Sequence, residues 1–218
     1  MDLSLLEIIA LYAVPVIFAI TLHEAAHGYV ANMLGDRTAH MLGRVTLNPI
    51  RHIDPLGTLI VPLALLLLTK FAGGGLLFGW ARPVPVNFNN LRHPRRDMFW
   101  VALAGPATNL AMALGWAVLQ RLSSDGGPLA SEGLEAMSDF GVVFNIVLLV
   151  LNLLPILPLD GGRIALSLLP SAAAARFSRL ERYGFIVLIV LLATHVLERV
   201  MTPLVIGVHS LLQAIVGL

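Results

Sequence analysis

The chain of 218 residues has no cysteine, which excludes disulfides, thiolate chemistry and cysteine-based zinc sites together. It is also short of charge. Only 12% of its residues are Asp, Glu, Lys or Arg, and a formal net charge of +1 gives nucleic acid no general attraction. No internal repeat is evident. What is abundant is apolar surface: 57% of the chain is hydrophobic, a composition of membrane proteins.

Apolar runs recur near 5–22, 56–72, 99–119, 140–158, 184–197 and 200–218. Most approach the roughly 17–25 residues that carry a helix across a bilayer. The expectation is an all-alpha polytopic membrane protein, a bundle of about five or six transmembrane or re-entrant segments with a small membrane-associated beta-sheet. The whole of 1–218 reads as one integral membrane domain. Its first segment carries Asp2 and Glu7 where a cleaved signal peptide would be basic, so it reads as retained.

The linkers differ in charge. Residues 73–97 and 160–183 are rich in arginine, whereas 121–139 sets Arg121 against Asp125, Glu132, Glu135 and Asp139. Short cytoplasmic loops are enriched in Arg and Lys, which puts the first two inside and the third outside. If the basic stretch 35–54 is inside as well, 56–72 must dip in and return; otherwise it crosses. The near-alternating stretches Thr38 to Asn48 and Phe78 to Phe88 read as two strands able to pair, with Pro83 and Pro85 at an edge.

Within the first apolar region lies His23-Glu24-Ala25-Ala26-His27. Histidines four apart share a helix face, and the pattern suits two imidazoles on zinc with Glu24 as general base for a water that the metal activates. Chance or core packing is the plainer reading of such a match. It fits poorly inside a membrane, where ionisable groups without partners are costly. A catalytic zinc normally takes three protein ligands. Asp160, at the end of Asn-Leu-Leu-Pro-Ile-Leu-Pro-Leu-Asp-Gly-Gly, is the best candidate for the third, since Pro155, Pro158, Gly161 and Gly162 break the helix around it. The alternative is a helix-terminating turn with a membrane-surface aspartate.

These residues, with Gly105-Pro106-Ala107-Thr108-Asn109 and Gly43 to Gly57, resemble the site-2 protease family of intramembrane zinc metalloproteases, specifically the branch lacking an appended peptide-binding domain. The similarity covers most of 15–170, the expected catalytic core, and leaves 171–218 as C-terminal helices. The resemblance implies one Zn2+ per chain on His23, His27 and Asp160, with Glu24 as base. It implies that Asn152 holds substrate or stabilises the oxyanion, and that Asn109 supports the site. The implied substrate is a peptide bond within or beside a transmembrane helix of another protein. A bacterial or archaeal cell membrane is the expected location, and the arginine-rich linkers put the site nearer its cytoplasmic face. Lipid is an expected partner and nucleic acid is not.

Other histidines read as peripheral. His40 carries no signal, His52 and His93 sit in basic linkers and are expected to be exposed, and His195 and His209 are expected to be partnered or interfacial. A membrane transporter or channel with a histidine and carboxylate path for protons or zinc is the competing function. Such a path does not require a base beside paired histidines.

Overall fold

The computed structural model describes residues 5–52, 54, 82–124 and 126–218. The helices are α1 (Leu5–Met33), a single turn α2 (Thr38–Met41), α3 (Pro94–Ser123), α4 (Glu132–Leu153), α5 (Asp160–Leu168), α6 (Ser171–Ser178), α7 (Glu181–Ala193) and α8 (Val196–Val216). Three of them, α3, α4 and α8, are long and apolar enough to cross a membrane. The result is an all-alpha bundle of an integral membrane protein.

Apolar composition makes these segments helical because a backbone in lipid must satisfy its own polar groups. It does not by itself make them associate, since lipid tails are as apolar as leucine; close packing and polar links do that. The antiparallel pair α3 and α4 shows both. Asn109 bonds to Asn145, a Cβ at Gly141 would meet the Trp116 ring at 2.6 Å, and Gln120 Nε2 donates to Asp139 at 3.1 Å. At the far end Ser131 N–H donates to Ser123 O at 3.0 Å. Small Ala113 and Ala117 of α3 pack on Val142, Ile146 and Val150 of α4, with Leu212 of α8 completing the cluster.

Helix α1 crosses this pair. Its contacts with α3 run from Ala19 and His23 at Asn109 to His27 at Val101, so α1 is antiparallel to α3 and parallel to α4. That direction brings the histidines toward the end where α4 finishes and α5 begins, the geometry in which all three expected ligands share a depth. At the same end Arg92 N–H donates to Leu34 O at 3.0 Å. The choice between crossing and re-entry for 56–72 lies outside the described residues.

Two expectations need correction. Among the described residues there is no strand: Thr38–Met41 is a helical turn, and 82–87 runs without ladder pairing. The hydrogen-bond ledger gives the reason. Asp36 Oδ1 accepts from Thr38 N–H at the start of that turn, while on the other stretch Val84 N–H goes to Glu24, Asn87 N–H to Asp36 and Arg82 N–H to the carbonyl of His52. Pro83 and Pro85 have no N–H to offer. Phe78 to Ala81 lies outside the described residues. The second correction is the linker 121–139, much of which is helix: Ser131 caps α4, its hydroxyl accepting from Leu134 N–H, with Glu132 and Glu135 in the first turn.

Candidate metal centre

One turn of α1 sets His23 and His27 on a common face. Their Nε2 atoms stand 3.1 Å apart, and each is 3.3 Å from Asp160 Oδ2. Ligand atoms held about 2.0–2.1 Å from a shared tetrahedral centre stand roughly 3.3 Å apart, so the triangle has the edge length that a zinc site needs. Among the described residues this is the group of histidines and acids able to hold a metal.

Proton positions sharpen the point. His27 Nδ1 lies 2.7 Å from Val101 O, which can only accept, so Nδ1 carries the hydrogen and a neutral ring keeps its lone pair on Nε2. His23 Nδ1 donates to Asn109 Oδ1 at 2.6 Å and leaves Nε2 in the same state. Asp160 Oδ2 is buried without a hydrogen-bond partner. Three buried electron pairs therefore face one another with no hydrogen between them, an arrangement that a cation makes favourable. Two imidazoles and a carboxylate suit zinc.

Local sequence explains how Asp160 arrives there. After Leu153 the chain turns through 154–159, with a cis Leu157–Pro158 bond, and restarts as α5 at Asp160. A Cβ at Gly161 would strike the carbonyl oxygens of Leu153 and Leu154, and one at Gly162 would sit 2.6 Å from Leu157 N. Both glycines are thus required for α5 to fold back against the end of α4. At the other end of α5, Arg95 Nε donates to Ser167 O at 2.9 Å and ties it to the first turn of α3.

Gly105 does the corresponding work on α3. A Cβ there would lie 2.6 Å from His23 Nε2 and closer still to His27 Nε2, so only glycine leaves both rings room. Glu24 follows His23 on α1, and its Oε2 accepts from Val84 N–H at 2.7 Å. Arg44 braces that stretch from below: its guanidinium donates to the carbonyls of Arg51, Arg82 and Pro83. Asn152 donates to Leu148 O of its own helix at 3.0 Å and makes no hydrogen bond to the three ligands.

Sequence reasoning missed Asn145, buried beside Asn109, and gave Gly105 no role. A lone asparagine in the run VVFNIVLLV was the available signal for the first. His52 is corrected from exposed to buried: it is 2% exposed, with Nε2 donating to Thr46 O at 2.9 Å. His93 is exposed as expected, and His40, which carries no signal in the sequence, is exposed as well. His195 pairs with Glu198 at 3.2 Å on the surface, far in the chain from the cluster and no part of it.

Helix length, apolar composition and side-chain geometry together describe a helical membrane protein with a buried group of two histidines and one aspartate able to hold a metal. The family model described as Peptidase family M50 matches residues 122–195. YwhC of Bacillus subtilis is 39% identical over 203 residues, covering 91% of this chain and 87% of that protein. Rip2 of Mycolicibacterium smegmatis is 32% identical over 185 residues, covering 84% and 66%, and Rip2 of Mycobacterium tuberculosis is 36% identical over 143 residues, covering 66% and 51%. Their names assign all three to the zinc metalloproteases. No solved structure matches. The chain belongs to the M50, or site-2, family of intramembrane zinc metalloproteases, and His23, His27 and Asp160 form its zinc site.

Proposed function

We propose that the chain hydrolyses a peptide bond within or beside a transmembrane segment of a membrane-protein substrate, at a site nearer the cytoplasmic face, with Glu24 as general base. The observation that carries this reading is the convergence of His23 Nε2, His27 Nε2 and Asp160 Oδ2 at 3.1–3.3 Å next to a carboxylate that is not itself a member of the triangle. The arginines at 92, 95 and 96, just before and within the first turn of α3, support the cytoplasmic assignment. Residues 15–170 would then form the catalytic core and 171–218 an accessory helical portion.

When bound, zinc supplies Lewis acidity, which makes water nucleophilic near neutral pH and polarises a carbonyl. The chain's own residues do the rest. Glu24 takes the proton of the attacking water and delivers it to the amide nitrogen as the C–N bond breaks, leaving a carboxylate and an amine. The Val84 N–H holds Oε2 of that base in place at 2.7 Å. Asn152 commits one amide hydrogen to Leu148 O, and the second, which meets no acceptor among the described residues, would serve a developing oxyanion.

A groove of about 380 Å³ lies against the α1 face that carries Leu22, Ala25, Ala26 and Tyr29, with Val45, Thr46, Leu47 and Thr108 completing its mostly apolar lining; none of the three ligands lines it. Its apolar walls suit a substrate segment drawn from lipid. The deciding experiment purifies the chain in detergent, adds a membrane-spanning test substrate and compares it with Glu24→Gln. The variant is expected to keep about one zinc per chain while cleavage falls by about 10²–10⁴-fold. Cleavage at the unmodified rate would remove Glu24 from its role, and transmembrane zinc flux in place of cleavage would favour a transporter.

A further inference from the structure

We infer that Asn145, whose hydrogen bonds go to Asn109 and Gly141 and not to a metal ligand, is a positioning residue that sets the metal-binding tautomer of His23 by orienting the Asn109 amide. The two histidines are held in unlike ways. His27 donates to the backbone carbonyl of Val101, an acceptor that covalent geometry makes permanent. His23 instead faces a side-chain amide, and an asparagine presents either its oxygen or its NH2 by a half-turn about one bond. With the NH2 turned inward, His23 would have to keep its lone pair on Nδ1 and carry a hydrogen on Nε2, where the zinc must bind. Something has to choose between the two.

Asn145 makes the choice. It is fully buried at the α3–α4 contact, as is Asn109. Its Nδ2 donates to Gly141 O at 2.9 Å, one turn back on its own helix. That carbonyl cannot donate, so reversing the Asn145 amide would set two oxygens against each other. Oδ1 of Asn145 is therefore the face offered to Asn109, whose Nδ2 donates to it at 3.0 Å and leans toward Ala19 O at 3.5 Å. With its nitrogen so committed, Asn109 turns Oδ1 to His23. A backbone carbonyl on α4 thus fixes, through two amides, which nitrogen of an α1 histidine is free for metal.

The inference rests on the zinc-site reading but not on proteolysis. In the full chain in detergent, Asn145→Leu is expected to weaken zinc binding, measured by chelator competition, by about 10–100-fold. Nitrogen-15 NMR of the zinc-free protein should show His23 losing its uniform Nδ1–H state while His27 keeps its own. Asn145→Ala carries the same expectation without extra bulk, should leucine prevent folding. The decisive variant adds Asn109→Asp to Asn145→Leu. A carboxylate accepts at either oxygen and needs no orienting, so zinc affinity should return to near the unmodified value. Unchanged affinity in the leucine and alanine variants would overturn the inference, as would a loss that Asn109→Asp fails to repair, because packing alone would then explain it. Failure of the unmodified chain to bind zinc would instead sink the metal site itself.

Discussion

Helices α3 and α8 are both apolar enough to cross a membrane, yet 39% of the most apolar stretch of α3 is buried in the bundle, against 6% for α8. Helix α3 turns Gly105, Pro106, Asn109, Ala113 and Ala117 inward, whereas α8 exposes Leu204, Ile206, Leu211 and Ile215. Mean hydropathy cannot tell the two apart. The arrangement of small and polar residues can: glycine and alanine admit a neighbouring helix, and a buried asparagine demands a partner from it. One helix is thereby built into the zinc centre while the other leaves much of its leucine, isoleucine and valine uncovered by the described residues.

Removing a carboxylate from each region should give the widest contrast. Asp160→Ala is expected to reduce zinc from about one per chain to near none and cleavage to background, because the triangle loses the ligand that joins α5 to α1. Glu198→Ala removes an exposed carboxylate paired with His195 on α8 and should leave both unchanged. Metal analysis of the purified variants, beside a cleavage assay, checks the pair. Equal zinc in both would erase the distinction.

A methyl group offers a finer comparison. Gly105→Ala puts a Cβ 2.6 Å from His23 Nε2, so a ring must shift, and zinc affinity should fall by about tenfold or more. Gly207→Ala on α8 meets nothing within 4 Å among the described residues and should raise stability slightly, by about 0.5–1 kcal/mol, because alanine is the better helix former. Chelator competition reads the first and thermal unfolding in detergent the second.

Much of this site was legible because its chemistry is local. Histidines four apart declare a shared face, and an aspartate between prolines and glycines declares a broken helix, so His23, His27 and Asp160 could be named before any packing was known. Asn145 could not, since its meaning depends on which residue of α3 lies opposite. The expected strand along 38–48, and the described part of the one along 78–88, misled for a related reason. Alternation along 38–48 and 78–88 marks residues that face two ways, but it is silent on whether carboxylates take the backbone hydrogens that a sheet would use. Asp36 and Glu24 take them. His52 misled because a basic linker looks solvated until it folds over its own histidine.

Asp36 extends the comparison to the rim of the bundle, where a buried polar group does structural work without chemistry. It follows α1 and accepts from Thr38 N–H at 3.0 Å, the Thr38 hydroxyl, Asn87 N–H at 2.7 Å and Asn90 Nδ2 at 3.1 Å. Burial alone would raise its pKa, but the hydrogen bonds from Thr38, Asn87 and Asn90 outweigh that and hold the carboxyl below its ordinary range. A depressed folded-state pKa means that the stabilisation is fully present above the ordinary carboxylate value, near about 4, and is lost as pH falls through the lowered one. Limited proteolysis should therefore find the segment around 87–90 protected at neutral pH and progressively cut as the medium becomes acidic. Asp36→Asn keeps an acceptor but loses the charge, so it should be cut more readily at neutral pH and show little further change on acidification. The expected loss is about 1–3 kcal/mol, as for hydrogen bonds to a charged group, with the zinc content unaltered. Identical acid profiles for the two proteins would show that this clamp does not depend on the Asp36 charge.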